Sequence, residues 1–179
     1  MGIRGSKSSN INFQTFRAEI NRYNIMIKCI GCWIYDTSKQ MFLLQQRSKQ
    51  TTQPMKLGLW GGKMESAESF SDALHRELTE ELGNMPPYLK FYPLDTYLGT
   101  DNKFLYYSFL MIVENFDNIT INPRETFDYI WLPFHYIERL NLHSGFRKTF
   151  ETKKDYIQHI IDQNKTAIRL INYFKLPIA

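Results

Sequence analysis

Three glutamates, Glu77, Glu80 and Glu81, fall at i, i+3 and i+4, and on a helix that spacing stacks their carboxylates on one side. Like charges so placed repel and weaken the helix. A hard divalent cation removes the penalty, because Mg²⁺ takes oxygen ligands and prefers carboxylates. The surrounding stretch reads as a helix with a start and a stop. Ser66 and Ser69 can each cap its beginning, and Gly83 can end it in a left-handed conformation. Phe70, Ala73, Leu74, Leu78 and Leu82 recur at three- and four-residue spacing and give it an apolar face. Glu68 lies near the helix start and Arg76 two turns on, so a charge-assisted pair between them ties the incoming loop to the helix. Gly61 and Gly62, just before the loop, allow the backbone to approach a ligand or metal closely. A solvated, acidic, amphipathic helix accounts for neither the spacing nor the Gly-Gly entry.

Residues 62 to 84 resemble the Nudix box, G-x5-E-x7-R-E-U-x-E-E-x-G-U, where U is a bulky aliphatic. Gly62, Glu68, Arg76, Glu77, Leu78, Glu80, Glu81 and Gly83 fill its fixed positions. Eight specified positions at fixed spacing arise by chance about once in a billion start sites. Asn84 departs at the final aliphatic position, and Ala67 stands where glycine is frequent. Neither departure touches a carboxylate. The resemblance implies metal-dependent hydrolysis of a nucleoside diphosphate linked to a moiety X. It implies Glu77, Glu80 and Glu81, with the Gly61 carbonyl, as ligands of Mg²⁺ or Mn²⁺. Glu80, Glu81 and a later acid are the catalytic candidates. Glu68 and Arg76 are the loop tether, and Arg47, Trp60 and Lys63 are the candidate substrate contacts.

The rest of the chain is consistent with one domain carrying this site. Its 179 residues suffice for a sizeable core, and its composition (43% hydrophobic, 22% charged) is globular. The net charge of +4 suits a polyanionic ligand without requiring one. Cys29 and Cys32 lack the second pair or histidine cluster of a zinc site, and in a strand they face opposite sides. They read as small buried residues in a reducing compartment, which suggests a cytoplasmic protein. There is no apolar run of membrane-spanning length. Residues 1–22 read as a flexible leader and a short N-terminal element, and 23–179 as the Nudix hydrolase domain. The opening Met-Gly-x-x-x-Ser also matches an N-myristoylation pattern, a motif short enough to occur by chance.

In order, Tyr23 to Asp36 reads as a buried strand, Asp36-Thr-Ser-Lys39 as a turn, and Gln40 to Gln46 as its hairpin partner ending at Arg47. Ser48 to Leu57 is a polar loop long enough to wall a cleft. After the box, Met85-Pro-Pro87 forbids helix continuation. Strands then follow at Tyr88 to Gly99 and Phe104 to Glu114, joined by a turn at Thr100-Asp-Asn-Lys103. The second is apolar on both faces and so belongs in the middle of a sheet. A short strand from Phe127 to Leu132, a short helix from His135 to Leu140 and a long helix over about 146–175 complete the chain. This order resembles the Nudix fold, an α/β/α sandwich around a central mixed sheet with a long C-terminal helix.

Glu125-Thr-Phe-Asp128-Tyr-Ile-Trp131 resembles a late acidic segment of such domains, with Asp128 in place of a glutamate. The general base is therefore Glu81, Glu125 or Asp128. His75, on the box helix beside Arg76, and His135, His143 and His159, which have no identifiable acid partner, read as structural or surface residues. Trp60, Tyr97, Phe104 and Tyr106 offer aromatic surfaces near the expected cleft. The favoured substrate is a small nucleotide, above all a nucleoside triphosphate cleaved to monophosphate and pyrophosphate. Nucleotide sugars, dinucleoside polyphosphates and 5′-capped RNA are alternatives, and so, in another class, is a non-catalytic nucleotide- or RNA-binding module. That class is marked by loss of box acids, and none is lost. The basic residues from Arg147 to Lys175 are interspersed with Glu151, Asp155 and Asp162, which suits a solvated helix face better than an RNA surface. A homodimer is compatible with the sequence.

Overall fold

A computed structural model of the chain describes residues 26–99 and 103–174, with side chains described as far as Lys165. The expected leader, residues 1–22, and most of the Thr100–Lys103 turn lie outside the described residues. Six strands form one sheet: β1 (Ile27–Asp36), β2 (Met41–Arg47), β3 (Leu57–Gly58), β4 (Tyr88–Leu98), β5 (Phe104–Val113) and β6 (Thr126–Leu132). Among the described residues two helices flank it, α1 (Phe70–Leu82) and α2 (Ser144–Phe174), and the short helix expected over His135 to Leu140 is a 3₁₀ segment at Phe134–Arg139. Pro133 opens that segment, which is too short to repay the cost of an α-helical nucleus.

The strand path is β3-β2-β1-β5-β4, with β6 on the other side of β2. β1 and β5 run parallel and the remaining pairs antiparallel, so the sheet is mixed. β5 has a partner along each edge and a packed layer over each face, Phe109, Met111 and Val113 on the α1 side and Leu110 and Ile112 on the α2 side, which is why it is apolar on both faces. The two-residue period of the strands sorts the core into two layers. Ile30, Cys32 and Ile34 of β1 face α1 and pack with Ala73, Leu74, Leu78 and Leu82. Trp33 and Tyr35 face the other way and pack with Phe146, Phe150, Ile157 and Ile161 of α2. The result is an α/β/α sandwich.

One irregularity creates the site. β1 pairs with β2 only where Ile34–Asp36 meets Met41–Leu43. Upstream it leaves β2 and bonds to the segment that leads into α1. The Cys32 N–H donates to the Trp60 carbonyl at 2.7 Å, and the Ile30 N–H to the Gly62 carbonyl at 2.9 Å. Gly61 makes this approach possible: its φ is +125°, and a Cβ there would run into the Ile30 carbonyl. The sheet therefore splits between β1 and β2, and the amino-terminal loop of α1 lies across the split. Among the described residues no helix is long and apolar enough to cross a membrane.

Candidate active site

Helix α1 aims the acids at the split. Ser69, not Ser66, caps it, its Oγ accepting from the Asp72 N–H at 3.2 Å, and Gly83 ends it at φ +79°. Leu74, Leu78 and Leu82 press the helix onto the sheet and carry Glu77 and Glu81 inward, where both are buried. Glu80 stays outside, with about half its side chain exposed. The single acidic face expected from spacing is therefore divided, because residues 80 and 81 are about 100° apart around the helix.

Glu81 is the most enclosed acid. Its Oε2 accepts from the Gly61 N–H at 2.6 Å and its Oε1 from Gln45 Nε2 at 3.0 Å. Burial pushes its carboxyl up to about 8 against these two hydrogen bonds, and the charges of Glu125 and Glu77 add to the rise. Glu77 is also raised by burial, partly offset by Arg76, whose Nη1 lies 2.7 Å from its Oε1. A Cβ on Gly62 would collide with the Glu77 carboxylate, so glycine is required there to admit the acid.

Arg76 is the hub of the loop. Its Nε and Nη2 donate to the two oxygens of Glu68, each at 2.9 Å, and Nη2 also donates to the Lys63 carbonyl at 3.0 Å. Glu68 further accepts the Glu65 N–H at 2.8 Å. The hydrogen bonds from Arg76, and then that from Glu65, hold its carboxyl below the usual range. Ala67, where glycine is frequent in the motif, adopts φ +64°, a conformation that costs a residue with a Cβ about 1 kcal/mol. Asn84, at the missing aliphatic position, donates instead to the Asn118 carbonyl at 2.7 Å and ties the helix end to the loop before β6.

A cleft of about 250 Å³ opens in the split, lined among others by Gln45, Arg47, Gly61, Lys63, Glu81 and Glu125. Arg47 stands at its wall, its Nε donating to the Thr52 carbonyl at 2.8 Å and so fastening the polar loop. Glu125 is exposed at the end of the loop entering β6, and its charge acts on both Glu77 and Glu81. Asp128 points elsewhere on β6 and does not line the cleft. Trp60 is a correction: it is fully buried on the α1 side, its indole N–H bonded to the Leu43 carbonyl at 2.9 Å, and offers no surface to a substrate. Its backbone pairing with Cys32 turns the ring under the helix.

Beside the cleft lies a second chamber of about 410 Å³, whose walls include Tyr97, Phe104, Tyr106, His143 and Lys148. Phe104, Tyr106 and His143 line both spaces. The Lys148 ammonium sits 4.0 Å from the centre of the Tyr97 ring. The basic residues of α2 are dispersed rather than gathered on one face. Arg147 bonds the Leu140 carbonyl, Lys148 enters the chamber, and Lys153 pairs with Asp95 at 3.7 Å.

Two site residues escaped the reading of the sequence. Gln45 had a signal: it shares the inward face of β2 with Leu43, and a polar residue at a core position needs a partner. His143 had none, because it reaches the site only through the start of α2. It is half-buried; its Nδ1 accepts from the Gly145 N–H, and its Nε2 lies 3.1 Å from Gln53 Nε2. Burial, then the charges of Arg47 and Lys56, lower its pKa to about 4, so it is neutral at physiological pH. Cys29 is half-buried at the cleft wall rather than in the core, whereas Cys32 is enclosed, and both are free thiols.

The donor chemistry suits a hard divalent ion. Of the two buried carboxylates, Glu77 pairs with Arg76 whereas Glu81 has neutral donors only. Among the described residues no three acids yet converge at ligand distance. Glu80 leans towards Arg76 at 3.8 Å, and turning it inward is a rotation of an exposed side chain.

No curated protein sequence matches the chain. Among solved structures, a Nudix hydrolase from M. smegmatis is 18% identical, with a TM-score of 0.60 over 75% of this chain and 86% of that one. A MutT protein from Methanosarcina mazei Go1 is 22% identical, with a TM-score of 0.59 over 73% of this chain and 94% of that one. A C. elegans Ap4A hydrolase is 18% identical, with a TM-score of 0.58 over 75% and 99%. At these identities the likeness is one of fold. The family model of the NUDIX domain matches residues 27–152, the span that holds the sheet, α1 and every acid of the cleft. The chain therefore belongs to the Nudix family.

Proposed function

We propose that the chain hydrolyses a nucleoside triphosphate, or a small nucleotide of that kind, to a nucleoside monophosphate and pyrophosphate with Mg²⁺, for which Mn²⁺ can substitute. The observation that carries this reading is the union of two unlike spaces. The acidic cleft, rimmed by Arg47 and Lys63, suits a metal-bound diphosphate, and the adjoining chamber, walled by Tyr97, Phe104 and Tyr106, suits a nucleoside. Stacking a base on such rings contributes about 1–3 kcal/mol.

Glu77, Glu80 and Glu81, with the Gly61 carbonyl, would hold the ion. The chemistry such an ion supplies when bound is neutralisation of the diphosphate charge and a lowered pKa for water. Arg76 and Glu68 hold the loop that presents these acids. Arg47 and Lys63 meet the phosphate oxygens. Glu125 is the general base in this reading, because it is exposed at the cleft whereas Glu81 is engaged by Gly61 and Gln45.

The test is a screen with Mg²⁺ and with Mn²⁺ across canonical and oxidised nucleoside triphosphates, dinucleoside polyphosphates, nucleotide sugars and 5′-capped RNA, with products resolved by chromatography. The expected outcome is highest kcat/KM on a nucleoside triphosphate, with pyrophosphate released. A preference for any other class by more than tenfold, about 1.4 kcal/mol of transition-state binding, overturns the substrate and leaves the hydrolase standing.

A further inference from the structure

We propose that Tyr106 is a substrate-positioning residue, its phenol hydroxyl donating a hydrogen bond to the phosphate nearest the nucleoside, and that Gly31 is glycine in order to seat that phenol. The proposal rests on the nucleotide-hydrolase reading above.

The first observation is a glycine in the middle of a central strand. Gly31 lies within β1, which pairs with β5 along its whole length. Its backbone is not in the left-handed region, so no turn demands glycine. Glycine inside a strand weakens it and commonly marks a close approach by another group. Here the group is identified. A Cβ on Gly31 would overlap the hydroxyl of Tyr106, which lies across Gly31 from the neighbouring strand.

The second observation is where this places the hydroxyl. Tyr106 lines both the acidic cleft and the aromatic chamber, so a ligand with phosphates in one and a nucleoside in the other passes its ring. The atoms that bridge the two are the 5′ oxygen and the first phosphate. Two other polar groups stand at the junction. His143 Nδ1 accepts the Gly145 N–H, and Arg47 gives Nε and Nη2 to Thr52 and keeps Nη1 for a phosphate oxygen. The Tyr106 hydroxyl, among the described residues, has no hydrogen-bond partner in the protein. Burial, then the nearby Cys29, Cys32 and Glu81, raise its pKa further, so it stays protonated and is a donor at neutral pH.

The test uses the full chain and Tyr106→Phe, with thermal melting, steady-state kinetics on a nucleoside triphosphate with Mg²⁺, and calorimetric binding of a nucleoside monophosphate and of inorganic pyrophosphate. The expected result is an unchanged melting temperature, about tenfold or greater loss in kcat/KM, and a comparable loss of monophosphate affinity with pyrophosphate affinity unchanged. Gly31→Ala, which keeps the hydroxyl but displaces it, should show the same selective loss. Tyr106→Phe with wild-type kinetics and affinities overturns the proposal, as does an equal loss for pyrophosphate. Wild-type protein that neither hydrolyses nor binds any nucleotide overturns the nucleotide reading instead, and this proposal with it.

Discussion

Arg76→Ala separates a structural tether from a pure ligand site. Arg76 makes two bonds to Glu68, one to the Lys63 carbonyl and one to Glu77, and about a quarter of its side chain is exposed. Breaking a fully buried ion pair costs about 3–5 kcal/mol, because the abandoned charge stays in a poor solvent. Glu77, only 8% exposed, would be left in that position, while the solvent that reaches Arg76 reduces the penalty to about 2–3 kcal/mol. For a domain of this size that corresponds to a fall in Tm of roughly 4–12 °C. The assay is thermal unfolding by circular dichroism, paired with product release at saturating Mg²⁺. Turnover should fall as well, because residues 63–68 lose their anchor to α1. Glu68→Gln should shift Tm less, since Arg76 would keep Glu77 and the Lys63 carbonyl. An unchanged Tm in Arg76→Ala, or a larger loss in Glu68→Gln, refutes this account.

Glu81→Gln should cut turnover by at least about a hundredfold, beyond the ~10–100-fold cost of losing a supporting residue around a metal, while circular dichroism and Tm stay at wild-type values. The amide oxygen can still accept the Gly61 N–H, so turnover near wild type would remove Glu81 from the metal site. His143 gives a pH signature in stability. Its pKa is about 4 when folded against an ordinary 6.5, so the unfolded chain takes up the proton first and stability falls as pH drops from 6.5 towards 4. The full gap is worth roughly 3 kcal/mol, and partial exposure lowers the contribution to about 1–2 kcal/mol. His143→Gln should flatten the dependence of unfolding free energy on pH across that window, and parallel curves for variant and wild type would contradict the assignment.

The sequence by itself determined what is local or periodic. The extent of α1 follows from the apolar spacing of Ala73, Leu74, Leu78 and Leu82 and from a left-handed stop at Gly83, all of which act within a few turns of chain. The central place of β5 follows from its doubly apolar pattern, and the Glu68–Arg76 pair from two helical turns of separation. Spacing could not say which acids go inside. Glu77 and Glu81 turn inward and Glu80 outward because α1 is pressed onto β1 and β5, strands far from it in the chain. Nor could aromatic content assign Trp60, Phe104 and Tyr106: one is buried under the helix and the other two line the cleft, and only the split between β1 and β2 separates those fates. The same holds for Gln45, His143 and Gly31. Their roles depend on contacts with Glu81, Gln53 and Tyr106, between 36 and 90 residues away, and such pairings exist only once the sheet and both helices have closed around them.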